Sequence, residues 1–353
     1  MSYTNGLDNP ELYFQTVLWT GNGSNRSITL DGSENMQPDW VWGKNRGNDD
    51  NDYLMDSVRG ATKRLTTNNN AAEGTSTALL TSFDSDGLSL GTSAGLNASG
   101  VTAVGWCWKA GGSASSNSDG SITSSVSANQ TAGFSILKFT ASGSGDETVG
   151  HGLGVKPKMV ITKGLDASSP WNTYNENLHS SAPEDYYLAL NSTNASSSDS
   201  PGVFGAGMTS SVIGVGVGVG FTSGQDYICY CFSEVKSFSK FGSYVGNQSS
   251  NGSYIHLGFK PSFVMVKRTD SSDAANWMMY DNKRLGYNGG SRYLIANTID
   301  PEGGSSDNLM DFTSNGFKLR SANQNINRSA SYIYMAFSES SFVSSSGIPT
   351  NAK

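Results

Sequence analysis

Apolar residues along this chain fall in short runs set off by Gly, Ser, Asn and Asp. No helix-period pattern exceeds about ten residues, and Ala61 to Leu65 offers one turn at most. The runs Pro38 to Lys44 and Pro261 to Lys267 are rich in β-branched and aromatic residues, which predicts buried strands. Gly214 to Gly220 alternates glycine with valine, so a strand there puts valines on one face and bare backbone on the other, against which something packs closely. Strands at roughly ten-residue spacing predict an all-β fold of three tandem β-sandwich or jelly-roll-like repeats of about 100 residues.

The count of three comes from a pattern, Pro-x-x-Val-x-x-Lys, met as Pro38, Val41, Lys44, then Pro157, Val160, Lys163, and again Pro261, Val264, Lys267. Leu-Gly-x-Lys-Pro precedes the second and third copies. Trp-x-x-Tyr follows them, as Trp171 with Tyr174 and Trp277 with Tyr280, with Tyr53 to Asp56 in that region of the first copy. A polar-Gly-hydrophobic turn comes later in each, at Asp86-Gly87-Leu88, at Gly220-Phe221 and at Asn315-Gly316-Phe317. Each unit then closes on an aromatic strand: Val104 to Trp108, Ile228 to Phe232 and Ile333 to Phe337. In that register Cys107 and Cys231 align with Ala336, a column that wants a small buried side chain.

These landmarks divide the chain into an N-terminal arm (1–10), repeat 1 (11–112), a Gly/Ser-rich link (113–131), repeat 2 (132–236), repeat 3 (237–342) and a polar tail (343–353). The link reads as flexible or extended. The short second link carries Phe238 and Phe241, so units 2 and 3 are expected to pack as a rigid pair with unit 1 displaced from them.

Composition narrows the function. Charged residues are only 15% of the chain, but 36% hydrophobic and 10% aromatic residues supply enough apolar surface for folding. A net charge of -7 argues against a nucleic-acid partner, which needs clustered Lys and Arg. No window approaches the roughly 20 apolar residues of a membrane helix, and no secretion signal is visible, so assembly in a cytoplasm without membrane insertion is expected. Three cysteines give no disulfide framework.

Candidate chemistry is sparse. His151 and His256 lie near the same landmark but are offset by one and read as surface or strand-end residues; His179 has no counterpart. Asp49-Asp50-Asn51-Asp52 is oxygen-rich but lacks an EF-hand spacing, and reads as a solvated turn with no metal. Asp281 with Arg284, and Glu176 in the related stretch of unit 2, would make a glycosidase pair only if the fold brought two acids together. The glycine runs lack a Gly-Lys-Ser/Thr ending, so no phosphate loop or cofactor is expected. The ligand-binding candidates are Trp171, Tyr174, Trp277 and Tyr280, placed near turns, where rings stack on sugars or protein partners; core packing is the competing reading.

The segments Asn9 to Thr16, Pro38 to Trp42, Asp56 to Lys63, Trp106 to Gly112 and Phe241 to Tyr244 together resemble a family of repeat-bearing virion structural proteins of marine tailed bacteriophages. The resemblance covers nearly the whole chain. It implies a non-enzymatic virion protein of a tail fibre or other tail appendage involved in host attachment, touching other virion proteins and a host surface glycan or protein. It carries no catalytic residue. Capsid decoration or a head fibre is the alternative, and a polysaccharide-degrading enzyme is a third. Such appendages form around a symmetry axis, so a homo-oligomer, a trimer, is expected.

Overall fold

The aromatic strand that closes each unit lies inside a sheet, not at its end. In a computed structural model that describes residues 7–145, 147–198, 202–205, 207–216, 220–270, 275–285, 291–305 and 309–339, the strand Thr102–Trp108 pairs on one side with Phe14–Thr20 and on the other with Trp40–Asn45. Asp52–Asp56, Lys63–Thr66 and Gly74–Thr75 continue this six-stranded antiparallel sheet. The same order recurs in unit 2, as Phe134–Thr140, Asp226–Phe232, Met159–Gly164, Trp171–Asn175, Tyr186–Ala189 and Ser197–Ser198. Unit 3 repeats it with Ser239–Val245, Ser331–Phe337, Phe263–Arg268, Met278–Asp281, Ser291–Ile295 and Gly303–Ser305. A smaller sheet covers one face of each: Arg26–Thr29 with Gly87–Leu90 and Leu80–Asp84, Glu147–Gly150 with Val212–Val215, and Tyr254–His256 with Gly316–Leu319 and Met310–Thr313. The chain is all-β and sandwich-like.

Both faces of each large sheet are buried, which is why its central strands read as continuous apolar runs without polar alternation. One face meets its own small sheet; Val41, Val160 and Val264 of the recurring motif lie there, opposite Cys107, Cys231 and Ala336. The other face meets the large sheets of the other two units. Trp40, Trp42, Trp106 and Trp108 of unit 1, Phe134, Met159, Tyr230 and Phe232 of unit 2, and Phe241, Phe263, Met335 and Phe337 of unit 3 form one shared core. Trp40 sits 5.0 Å from Tyr230 and 5.7 Å from Phe232, Trp108 lies 5.6 Å from Phe263, and Phe232 lies 6.0 Å from Phe337 (ring centroids). Three units therefore close into a ring around a common aromatic centre within a single chain. Unit 1 is not displaced, because its inner face carries the most indole surface.

The link at 113–131 is also not a free tether. Ser115–Asn117 and Ser124–Asn129 are two further strands on the unit 2 sheet, in register with Phe134–Thr140, and Ser124, Val126 and Ser127 are buried. Small residues suit this place because Ala128 passes close to Gly111, where a Cβ would come 2.4 Å from the Ala128 carbonyl oxygen. Residues 7–10 of the N-terminal arm are anchored as well: the Leu7 amide donates to Lys236 O at 3.1 Å and Pro10 is buried. In unit 2 the strand that pairs with Glu147–Gly150 is Val212–Val215, ahead of the expected turn at Gly220-Phe221. Val203 packs on that glycine run, where a Cβ on Gly220 would sit 2.6 Å from its Cγ1. Residues 217–219 of the alternation and the tail at 343–353 lie outside the described residues.

Candidate functional site

The four candidate aromatics are buried, not displayed: Trp171, Tyr174 and Tyr280 are 0% exposed and Trp277 is 1% exposed. Sheet register explains the two indoles. Trp171 stands opposite Lys163, and the same register puts Trp277 opposite Lys267, on the face turned toward the next unit. Trp171 Nε1 donates to Thr66 O of unit 1 at 2.9 Å, and Trp277 Nε1 donates to Ala189 O of unit 2 at 3.0 Å. The equivalent residue in unit 1 is Asp52, opposite Lys44, not a member of the Tyr53 to Asp56 run. The indoles are seam anchors, and stacking on a sugar is closed to them.

Tyr174 and Tyr280 point the other way, into the sandwich interiors of units 2 and 3, and neither hydroxyl has a hydrogen-bond partner. Burial pushes both phenols up. A buried hydroxyl without a partner costs on the order of 1–3 kcal/mol, so Tyr280→Phe is expected to raise the urea midpoint by the equivalent of about 1 kcal/mol. A lowered midpoint would show that the hydroxyl is satisfied.

The motif lysines close the ring. Lys163 Nζ donates to Asn70 O of unit 1 at 3.3 Å, Lys267 Nζ to Thr193 O of unit 2 at 3.0 Å, and Lys44 Nζ to Thr298 O of unit 3 at 2.8 Å. Among the described residues no carboxylate stands beside Lys163 or Lys267, and burial pulls both down to about 8. Lys44 is paired with Asp52 at 2.5 Å, both side chains fully buried. Burial drives the Asp52 carboxyl up and the Lys44 amine down, each opposed by the other. Asp52 is thus no part of a solvated turn, and among the described residues no group of three His, Cys, Asp or Glu side chains is placed to hold a metal ion.

Two seams carry a second polar device that sequence reading missed. In unit 1, Arg59 Nε meets Asp56 Oδ2 at 2.5 Å, and Tyr230 OH of unit 2 donates to the same oxygen at 2.7 Å. In unit 3, Arg284 Nε meets Asp281 Oδ2 at 2.6 Å, and Trp106 Nε1 of unit 1 donates to it at 3.0 Å. Unit 2 has Asn175 and Leu178 at the equivalent places. The signal was present as Asp-x-x-Arg, twice in three copies. Asp281 is therefore committed to a seam, while Glu176 pairs with Lys158 at 2.6 Å on the surface; the fold does not bring these two acids into one site.

The remaining candidates have local roles. His151 is buried, its Nδ1 accepting from the Leu153 amide at 3.1 Å, and burial pulls its imidazole down. His179 stacks on Tyr186 at 4.6 Å, and His256 is exposed on its strand. The three thiols are buried and pushed up by burial, as befits small core side chains.

Described residues line two concavities. A polar cavity of 80 Å³ lies in the seam between units 1 and 3, lined by Glu11, Thr16, Asp31, Ser33, Lys283 and Glu339. Lys283 reaches Asp31 at 2.9 Å, and Glu339 accepts from the Thr16 amide at 2.5 Å. Burial pushes Glu339 up to about 7, against the pull of Lys283 and Thr16. The folded chain then holds this proton more tightly than the unfolded chain, whose carboxyl titrates near its ordinary 4.5. Its contribution to stability is therefore present below about pH 4.5 and lost as pH rises through about 7, by roughly 3 kcal/mol. Glu339→Gln is expected to flatten the stability–pH curve over that window, measured by denaturant midpoints.

The second concavity is an open groove of 370 Å³ on unit 2, where Ser116, Thr123, Ser125, Lys138, Thr140 and Asp226 converge. Asp226 takes Lys138 at 2.8 Å and Thr140 Oγ1 at 2.5 Å. Slight burial raises its carboxyl, but these two hydrogen bonds outweigh that and hold it below the usual carboxylate range. Hydroxyls beside an acid–base pair can hydrogen-bond a polyhydroxyl ligand, and this groove is a candidate surface for one.

Residues 9–341 match the family model described as Domain of unknown function (DUF7483). No curated protein and no solved structure matches the chain.

Proposed function

We propose, for a chain that belongs to the DUF7483 family, a non-enzymatic role as a rigid structural component of a bacteriophage virion, in a tail fibre or tail appendage that takes part in host attachment. The observation that carries the reading is the closed ring of three sandwiches around one shared aromatic core, a packed base on which surface loops can serve recognition. The resemblance of the motifs from Asn9 to Tyr244 to virion structural proteins supports it from the sequence side. Host glycan contact falls to the hydroxyl-lined groove of unit 2, since the candidate aromatics are buried.

Capsid decoration is the second reading, favoured by one feature. The ring satisfies threefold packing within one chain, so that burial of the aromatic core asks for no partner subunit, as suits a block set singly on a shell. Side-chain-resolution cryo-EM of intact particles tests both. Density in tail-attached appendages is the expected result, and density spread over the capsid shell would overturn it in favour of decoration. Release of sugar from host polysaccharide by the purified protein would overturn the non-enzymatic reading.

A further inference from the structure

Unit 2 covers an edge that units 1 and 3 leave open among the described residues. In unit 2 the segment Ser115 to Asn129 lies across both sheets of the sandwich. Ser124–Asn129 pairs with the outer strand Phe134–Thr140, and Ile122 bridges Val149 of the small sheet, with the Ile122 amide donating to Thr148 O at 3.0 Å. The equivalent strands in unit 3 are Ser239–Val245 and Tyr254–His256, each last in its sheet among the described residues. Only the short stretch 233–238 precedes them, too short to supply a covering strand.

Unit 1 leaves the equivalent strands Phe14–Thr20 and Arg26–Thr29 last in their sheets as well, and the side chains set unit 3 apart from it. Register places Val245 at the position of Thr20 in unit 1 and Thr140 in unit 2, and Tyr254 at that of Ser27 and Thr148. Val245 is 66% exposed and Tyr254 is 43% exposed, two of the four large exposed hydrophobic residues among those described. They adjoin, since Ser253 Oγ donates to Val245 O at 3.3 Å. Unpaired edges flanked by exposed apolar side chains are a template for strand addition. The strands at this edge carry Lys240, His256 and Lys318 and no carboxylate. Lys240 Nζ is held at 3.1 Å from His256 O, an ammonium fixed between the two open edges.

We infer that this double edge of unit 3 is a docking surface for an extended, Ser/Thr-rich acidic segment of another protein, laid across it as residues 115–129 lie across unit 2. The positive edge disfavours self-pairing with a second copy of itself and favours a strand bearing a carboxylate opposite Lys240. The inference concerns the surface and stands whether or not the protein belongs to a virion.

The test uses the full chain and two labelled peptides with the sequence of residues 113–131, one unchanged and one carrying Ala128→Asp, since Ala128 faces the unit 2 position equivalent to Lys240. Fluorescence anisotropy is expected to show binding of both, the Asp peptide about threefold tighter at low salt. Val245→Lys and Tyr254→Ala, both at exposed positions, are expected to weaken binding about tenfold with melting temperature unchanged. Absence of binding at roughly 1 mM peptide, or equal binding to the Val245→Lys variant, would overturn the inference. So would slow hydrogen exchange of the Ser243 and Val245 amides in the protein alone. With a monomer mass that result assigns the edge to the chain's own residues, and with a dimer mass to a second copy.

Discussion

Replacing Trp40 with alanine is expected to destabilise all three units together, by about 3–5 kcal/mol, in a single calorimetric transition. Trp40 packs at 4.5 Å from Trp108 in its own unit and at 5.6 Å from Phe134 and 5.0 Å from Tyr230 in unit 2 (ring centroids). Its indole Nε1 has no hydrogen-bond partner, so the loss is one of packing and cavity formation. The cavity opens in the core that every unit shares, and no unit can keep its inner sheet face buried if that core dissolves. Differential scanning calorimetry checks this through the ratio of van't Hoff to calorimetric enthalpy. Two separated transitions, with unit 3 melting at the wild-type temperature, would mean that the sandwiches are independent and the ring a loose association.

The second large effect lies at the seam between units 1 and 2. Arg59→Leu alone is expected to cost about 3–5 kcal/mol, because it leaves the Asp56 carboxylate, 0% exposed, without its cation. Adding Asp56→Asn should restore most of that loss. The double variant reproduces the Asn175 and Leu178 that unit 2 carries at the same places, and an amide oxygen still accepts the proton of Tyr230 OH. A double-mutant cycle read from guanidinium midpoints measures the coupling. Additive losses would show that the arginine acts through its contacts with Leu54 O and Glu73, at 3.1 and 3.3 Å, and not through Asp56. The one unit that lacks the device fits its chemistry: unit 3 presents Met335 where units 1 and 2 present Trp106 and Tyr230, and a thioether has no proton to donate.

These seams make plain why the candidate residues went astray. Trp171 and Trp277 look like display aromatics because they follow turn residues, and a chain read in isolation shows a strand end facing outward. Their burial depends on which unit stands across the seam, a contact made over a long stretch of sequence. Asp49 to Asp52 failed for the same reason. An acid within a polar run reads as solvated, yet the antiparallel register sets Asp52 opposite Lys44 under unit 3, where the pair is sealed from water. The segment 113–131 misled through composition, since Ser, Gly and Ala suit both a flexible link and a strand that must pass close to other backbone.

The sequence by itself determined the all-β class, the short buried strands at Trp40–Asn45 and Phe263–Arg268, and the equivalence of Cys107, Cys231 and Ala336. Each of these depends on local propensity and on a side-chain period of two, both carried by neighbouring residues. Only the tertiary structure decided that the inner faces of three sheets meet, that the motif lysines clamp each unit to the one beside it, and that unit 3 has an open edge where unit 2 has a covered one. Those outcomes depend on the mutual orientation of segments about 100 residues apart, fixed by the shape and volume of an aromatic core to which every unit contributes.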